Sequence, residues 1–216
     1  MNLKPSSVDS WTIQGSVNLD INDATYGIVN DDFVLKIIVP KTYPNEIPLV
    51  FEIEDRFPKT ADYHINVDGS LCLGSPLSIR KRITDNPTIS GFVENCIVPY
   101  LFSMSLYLEG TKAFIFGELS HGTVGIIEDY YEIFELETVK QVLNLIDIFC
   151  MKKNVANKQL CPCGCHQIIT KCKIHKKVVE YRNAMSRTDF ESDKEEIVKL
   201  IEFAKQYQEP KQIPLM

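Results

Sequence analysis

This chain lacks a basic-then-apolar leader, and no apolar run in it approaches the roughly 18 to 20 residues that cross a bilayer. Both absences point to a cytoplasmic protein with no membrane partner. A basic excess is lacking as well: the formal net charge of −6 disfavours nucleic acid as a partner of the chain as a whole. There is no internal repeat and no low-complexity segment, which excludes solenoids and long linkers. What is present is the composition of a folded protein, 44% hydrophobic and 24% charged over 216 residues. That length accommodates one main domain, expected over residues 1–150, and a small appendage over 151–216.

Three segments have strand character. WTIQGSVNL from Trp11 alternates, and DFVLKIIVP ending at Pro40 and PLVFEIE ending at Glu54 are rich in β-branched and aromatic residues. Three strands in succession suggest an antiparallel meander. Residues 58–87 are broken by Asp62, Asp68, Gly69, Gly74, Pro76 and Asp85, so a long ordered loop is expected there. ISGFVENCIVPYLFSMSLYLEG then reads as a helix with a kink at Pro99. Two more helices follow, in GTVGIIEDYYEIF and ETVKQVLNLIDIFCMKK. A last one is expected to start near Thr188, which has capping-box spacing to Glu191. Strands first and helices after make the fold class α+β.

The loop holds the residues with chemistry. In YHINVDGSLCLGSP, His64, Asn66 and Cys72 fall within nine positions. A cysteine nucleophile with an amide donor nearby suits acyl transfer, the amide stabilising the oxyanion formed when an amine attacks a thioester. A cysteine hydrolase instead needs an imidazole beside the thiol, and spacing alone leaves open whether His64 reaches Cys72. Asp85 either orients an incoming lysine or favours the N-terminus of the next helix, and the second reading is preferred. His121, in SHG, reads either as a helix-start residue whose ring caps or packs or as an active-site residue, and the first reading is preferred.

The order of these features resembles the ubiquitin-conjugating family over residues 11–108. DFVLKIIVPKTYPNEIP matches a strand ending in proline followed by a Tyr-Pro turn and a further proline. LVFEIE matches the next strand, His64-Ile65-Asn66 the family's His-Pro-Asn, and Gly69-Ser70-Leu71-Cys72-Leu73 its Gly-x-x-Cys-Leu. Ile65 departs from the family's proline, and no tryptophan follows Cys72. Only MNLKPSSVDS precedes the first expected strand, so the family's N-terminal docking helix is not expected. The resemblance implies that Cys72 forms a thioester, that Asn66 is the oxyanion or loop-stabilising amide, and that His64 braces the loop.

FIFGELSHGTVGIIEDYYEIF resembles a segment of the bacterial branch of that family, including stand-alone forms encoded in CBASS anti-phage operons. That likeness implies an acyl donor at the C-terminus of a cyclic-oligonucleotide synthase and a lysine-bearing acceptor protein. The rival readings are a non-catalytic binding module of the same fold and a cysteine hydrolase.

Of the seven cysteines, four lie in CPCGCHQIITKCKIH, residues 161–175, with two histidines. Such spacing in a chain without a leader suits metal rather than disulfides. Cys161-Pro162-Cys163-Gly164 with Cys172 resembles the SEC-C zinc motif. The expected ligands of a structural zinc are Cys161, Cys163, Cys172 and His175, with Cys165 and His166 as alternates. Lys152, Lys153, Lys158, Lys171, Lys173, Lys176, Lys177, Arg182 and Arg187 surround this knuckle against the single Glu180. That local excess suggests docking to an acidic protein. The absence of interleaved aromatics argues against a single-stranded nucleic acid.

Overall fold

The computed structural model describes residues 2–7, 9–111 and 122–208. His121 lies outside the described residues. The fold is α+β. An antiparallel meander runs in the order β1 (Asn2–Ser7), β2 (Ser10–Asp23), β3 (Gly27–Pro40) and β4 (Leu49–Glu52). β1 is an addition to the expected strands, pairing Asn2 with Gln14 and Ser7 with Ser10. β2 and β3 form one continuous ladder from Ser10↔Pro40 to Asp23↔Gly27, and Asp23 caps the turn by accepting from the Thr25 and Tyr26 amides.

Alternation decides which face is buried. Phe33, Leu35 and Ile37 of β3 are fully enclosed, while the residues between them are less so. They pack with Phe92, Ile97, Leu101 and Met104 in one core. Burying side chains of this size contributes about 1.5 to 3 kcal/mol each.

The apolar run forms α2 (Ile89–Phe92), a π-helical segment (Val93–Ile97), α3 (Val98–Leu106) and a second π-segment (Tyr107–Thr111). Pro99, where a kink was expected, stands in the first turn of α3, directly after the π-segment Val93–Ile97. There the Val98 amide bonds back to the Val93 carbonyl. Ile89–Gly110 is long and apolar enough to cross a membrane, with a mean hydropathy of 1.2 in its most apolar window, although 61% of that window is buried in the fold. The expectation that no such stretch exists is thereby corrected. Its apolarity is that of a helix enclosed by its own domain.

Residues 58–87 are not one loop. Ser75 accepts from the Ser78 amide, Pro76 opens the first turn, and α1 runs over Pro76–Asp85. Asp85 therefore ends a helix instead of preceding one, and it pairs with Lys81 at 2.6 Å. The next helix is capped by Thr88, which accepts from the Gly91 amide.

By compactness the chain divides into Met1–Leu119 and Ser120–Met216. The division lies at 119/120, whereas 150/151 was expected, because α4 (Thr123–Phe134) and α5 (Val139–Cys150) use their apolar faces on the C-terminal helices. Beyond the short α6 (Lys153–Ala156), Phe134 meets Tyr181 of α7 (His175–Ala184), and Phe149 stacks on Phe190 of α8 (Arg187–Gln208) at 4.1 Å between ring centres. α5 has the full capping box, Thr138 and Gln141 exchanging bonds with each other's backbone. α8 is capped by Ser186 and Asp189, correcting the expected Thr188–Glu191 box. Glu191 instead pairs with Arg187 at 2.8 Å.

Candidate functional site

The first cluster is a hairpin after the meander. Ile65 and Leu71 pair antiparallel, the Asn66 amide donates to the Ser70 carbonyl at 2.8 Å, and the Gly69 amide donates back to the Asn66 carbonyl at 2.8 Å. Gly69 has φ +83, a left-handed value that closes this tight loop and that glycine adopts without strain. The Leu71 amide donates to the Val50 carbonyl at 2.7 Å, tying the hairpin to the edge of β4. Tyr63, Ile65, Leu71 and Leu73 join the core of the N-terminal unit.

This register settles where the three expected residues lie. His64 stands opposite Cys72, whose amide donates to the His64 carbonyl at 2.7 Å. His64 holds a left-handed φ of +50, uncommon for a side chain with a Cβ. Asn66 is two positions further toward the turn, and its side-chain amide donates to the Ser70 hydroxyl at 3.0 Å. Ser70 in turn donates to Asp68, and those bonds hold the Asp68 carboxyl below its ordinary range. Asn66 is thus engaged in bracing the turn.

The Cys72 sulfur is half-buried and lies outside the metal-type cluster described below. Burial pushes its thiol above the ordinary value, partly offset by a backbone bond from Gly74.

The second cluster is in the C-terminal unit. Leu160 and Ile168 pair antiparallel, and the Cys161 amide donates to the Gln167 carbonyl at 2.7 Å, closing a loop that holds Cys161, Cys163 and Cys165. A short 3-10 turn, Ile169–Lys171, then delivers Cys172. The four sulfurs lie within 4.8 Å of one another. Neighbouring pairs are 3.2 Å (161–163), 3.5 Å (163–172) and 3.5 Å (165–172) apart. Zinc–sulfur bonds of about 2.3 Å in a tetrahedron separate sulfurs by about 3.8 Å, close to this spacing.

The backbone also supports charge here, because the amides of Cys163, Cys165 and Gln167 donate to the sulfurs of Cys161, Cys163 and Cys165 in turn. The Gln167 bond draws the exposed Cys165 thiol down to about 7, while burial pushes Cys161 up.

These four cysteines are able to hold a metal ion. The fourth member of the cluster is Cys165, a correction to His175. His175 opens α7, its amide donating to the Cys172 carbonyl at 3.0 Å, and its ring is not among the ligand atoms that lie together. His166 is exposed on the loop, with a left-handed φ of +60. The C-x-C-x-C spacing was the available signal for Cys165. Of the basic residues around the knuckle, Lys173 and Lys177 are tied to Glu135 and Lys176 to Glu180.

No family model, curated protein or solved structure matches this chain.

Proposed function

We propose that this protein is a divergent ubiquitin-conjugating-like acyl carrier that acts through Cys72. The observation that carries the reading is the hairpin itself. Directly after an antiparallel meander it presents a half-buried thiol, held through its amide on the His64 carbonyl. That order of elements accords with the family's ordered sequence pattern.

In the proposed reaction the Cys72 thiolate attacks an activated acyl group at a protein C-terminus. A sulfur–carbon bond forms, the bond between the acyl carbon and the donor's leaving group breaks, and that group leaves with the electron pair and takes up the proton the thiol had given up. A lysine amine then attacks the thioester, an amide forms, and Cys72 leaves as the free thiol after one proton is lost from nitrogen. Asn66 keeps the turn shaped for this step, and His64 braces the strand opposite. The donor proposed is a cyclic-oligonucleotide synthase in cytoplasmic anti-phage defence, and the acceptor is a lysine-bearing protein.

In the C-terminal unit the proposed cofactor is zinc on Cys161, Cys163, Cys165 and Cys172. Four thiolates leave no open position, so the ion would be structural, adding folding energy to a loop with little core of its own. The basic residues nearby suit an acidic protein partner.

The test is covalent capture. A peptide C-terminal thioester incubated with the wild-type protein is expected to give an adduct on Cys72 that hydroxylamine releases and lysine discharges. Cys72→Ser is expected to give an adduct that survives thiols. No adduct on Cys72, with binding of the acyl donor unchanged, would leave only a binding module. Turnover to free acid at a rate independent of lysine would identify a hydrolase.

A further inference from the structure

The thiol's surroundings extend beyond the hairpin. Tyr100, on α3, is 6% exposed, and its hydroxyl donates to the Tyr63 carbonyl at 2.9 Å. The next carbonyl along the chain, that of His64, accepts the Cys72 amide at 2.7 Å. Between these two successive carbonyls lies the left-handed kink at His64. A non-glycine residue stays in that region only where its surroundings hold it there. The core hydroxyl and the reactive residue's amide are thus anchored to opposite ends of one strained turn. Tyr100 also packs its ring against Phe57 at 6.3 Å, which fixes where the hydroxyl points.

We propose that Tyr100 is a positioning residue for the Cys72 site. By holding the Tyr63 carbonyl, its hydroxyl keeps the His64 turn closed and so sets how far the thiol stands out to water and to an acyl donor. An electrostatic link between the two residues agrees with their closeness, since a Cys72 thiolate helps to push the Tyr100 hydroxyl upward, after the larger effect of burial. The inference rests on Cys72 being the reacting thiol. Its readout, the alkylation of that thiol, is measurable whether or not an acyl adduct ever forms.

The experiment compares Tyr100→Phe with Tyr43→Phe. Tyr43 makes the same kind of bond elsewhere in the unit, its hydroxyl donating to the Thr88 carbonyl at 2.9 Å. Each variant keeps its ring and loses one hydroxyl–carbonyl bond, so both are expected to lower the thermal midpoint to a similar degree. Iodoacetamide labelling of the full chain, resolved to Cys72 by peptide mass spectrometry from pH 6 to 10, is then followed.

Tyr100→Phe is expected to label Cys72 about threefold faster or more at pH 8, with its profile displaced to lower pH as water reaches the sulfur. Amide exchange at Cys72 should speed up in parallel, and Tyr43→Phe should leave both unchanged. Equal labelling in wild type and Tyr100→Phe, or equal acceleration in the two variants, would overturn the proposal and leave Tyr100 a core residue only. Failure of the thioester assay with the expected labelling shift would instead reject the acyl-carrier reading and keep this one.

Discussion

The Tyr130 hydroxyl donates to the Asp193 carboxylate at 2.9 Å, joining α4 to α8 in the interior of the C-terminal unit. Tyr130 is fully buried and Asp193 is 6% exposed. Burial pushes the Asp193 carboxyl up to about 7, with the Tyr130 bond opposing and the charges of Glu196, Asp189 and Asp129 adding to the rise.

A raised carboxyl favours the protonated form in the folded state. Its stabilising contribution is complete below the unfolded value near 3.8 and is lost as pH rises through about 7. Denaturant melts should show the C-terminal unit losing up to about 3 kcal/mol between pH 5 and pH 8 through this group. Asp193→Asn should flatten that slope. A wild-type slope of opposite sign, or one unaltered by Asp193→Asn, would contradict the assignment.

For the thiol cluster, one zinc per chain is expected, counted by metal analysis of the purified protein. Structural zinc sites bind with about 10 to 16 kcal/mol, so losing one ligand in four should weaken binding by about a hundredfold. Cys165→Ser is expected to do so, and His175→Ala to leave competition against a chelating dye unchanged. The reverse result would return His175 to the site.

Asn66→Ala removes the donor to the Ser70 hydroxyl, a partly exposed bond whose loss should cost about 1 kcal/mol in thermal stability. Because that amide is already engaged, discharge of a Cys72 thioester onto free lysine should slow by about tenfold. Loss of a true oxyanion donor costs about a hundredfold to a thousandfold. Single-turnover discharge separates the two roles.

Ser186→Ala should destabilise the C-terminal unit by about 1 kcal/mol, since its hydroxyl accepts the Asp189 amide at the start of α8. Thr188→Ala should change stability by less than about 0.5 kcal/mol. Thermal melts of the two variants check the order.

β2 was legible from its alternation, β3 and β4 because β-branched and aromatic residues crowd them, and burial on one face of β3 follows its alternation. α1 was hidden by its composition. LSIRKRITD offers few apolar positions, so periodicity is weak, and the informative signal was the Ser75-Pro76 pair that caps and opens the helix. Pro99 stands in the first turn of α3, directly after a π-turn that nothing in the residue pattern announced. At the metal-type cluster the residue types were legible and the C-x-C-x-C run pointed to Cys165, but ranking it above His175 required the loop closed by the Cys161–Gln167 bond. At Cys72, the opposition of His64 became visible only once the hairpin register was known.

The helical stretch Ile89–Gly110 has a consequence during synthesis. Its sheet partners precede it in the chain, so the surface that covers it has already left the ribosome when it emerges. A truncation or strand-breaking substitution in β2 or β3 would leave a greasy 22-residue segment for targeting factors and chaperones to capture. Such variants should turn up in membrane or aggregate fractions of cells, even though none of the altered residues belongs to the helix.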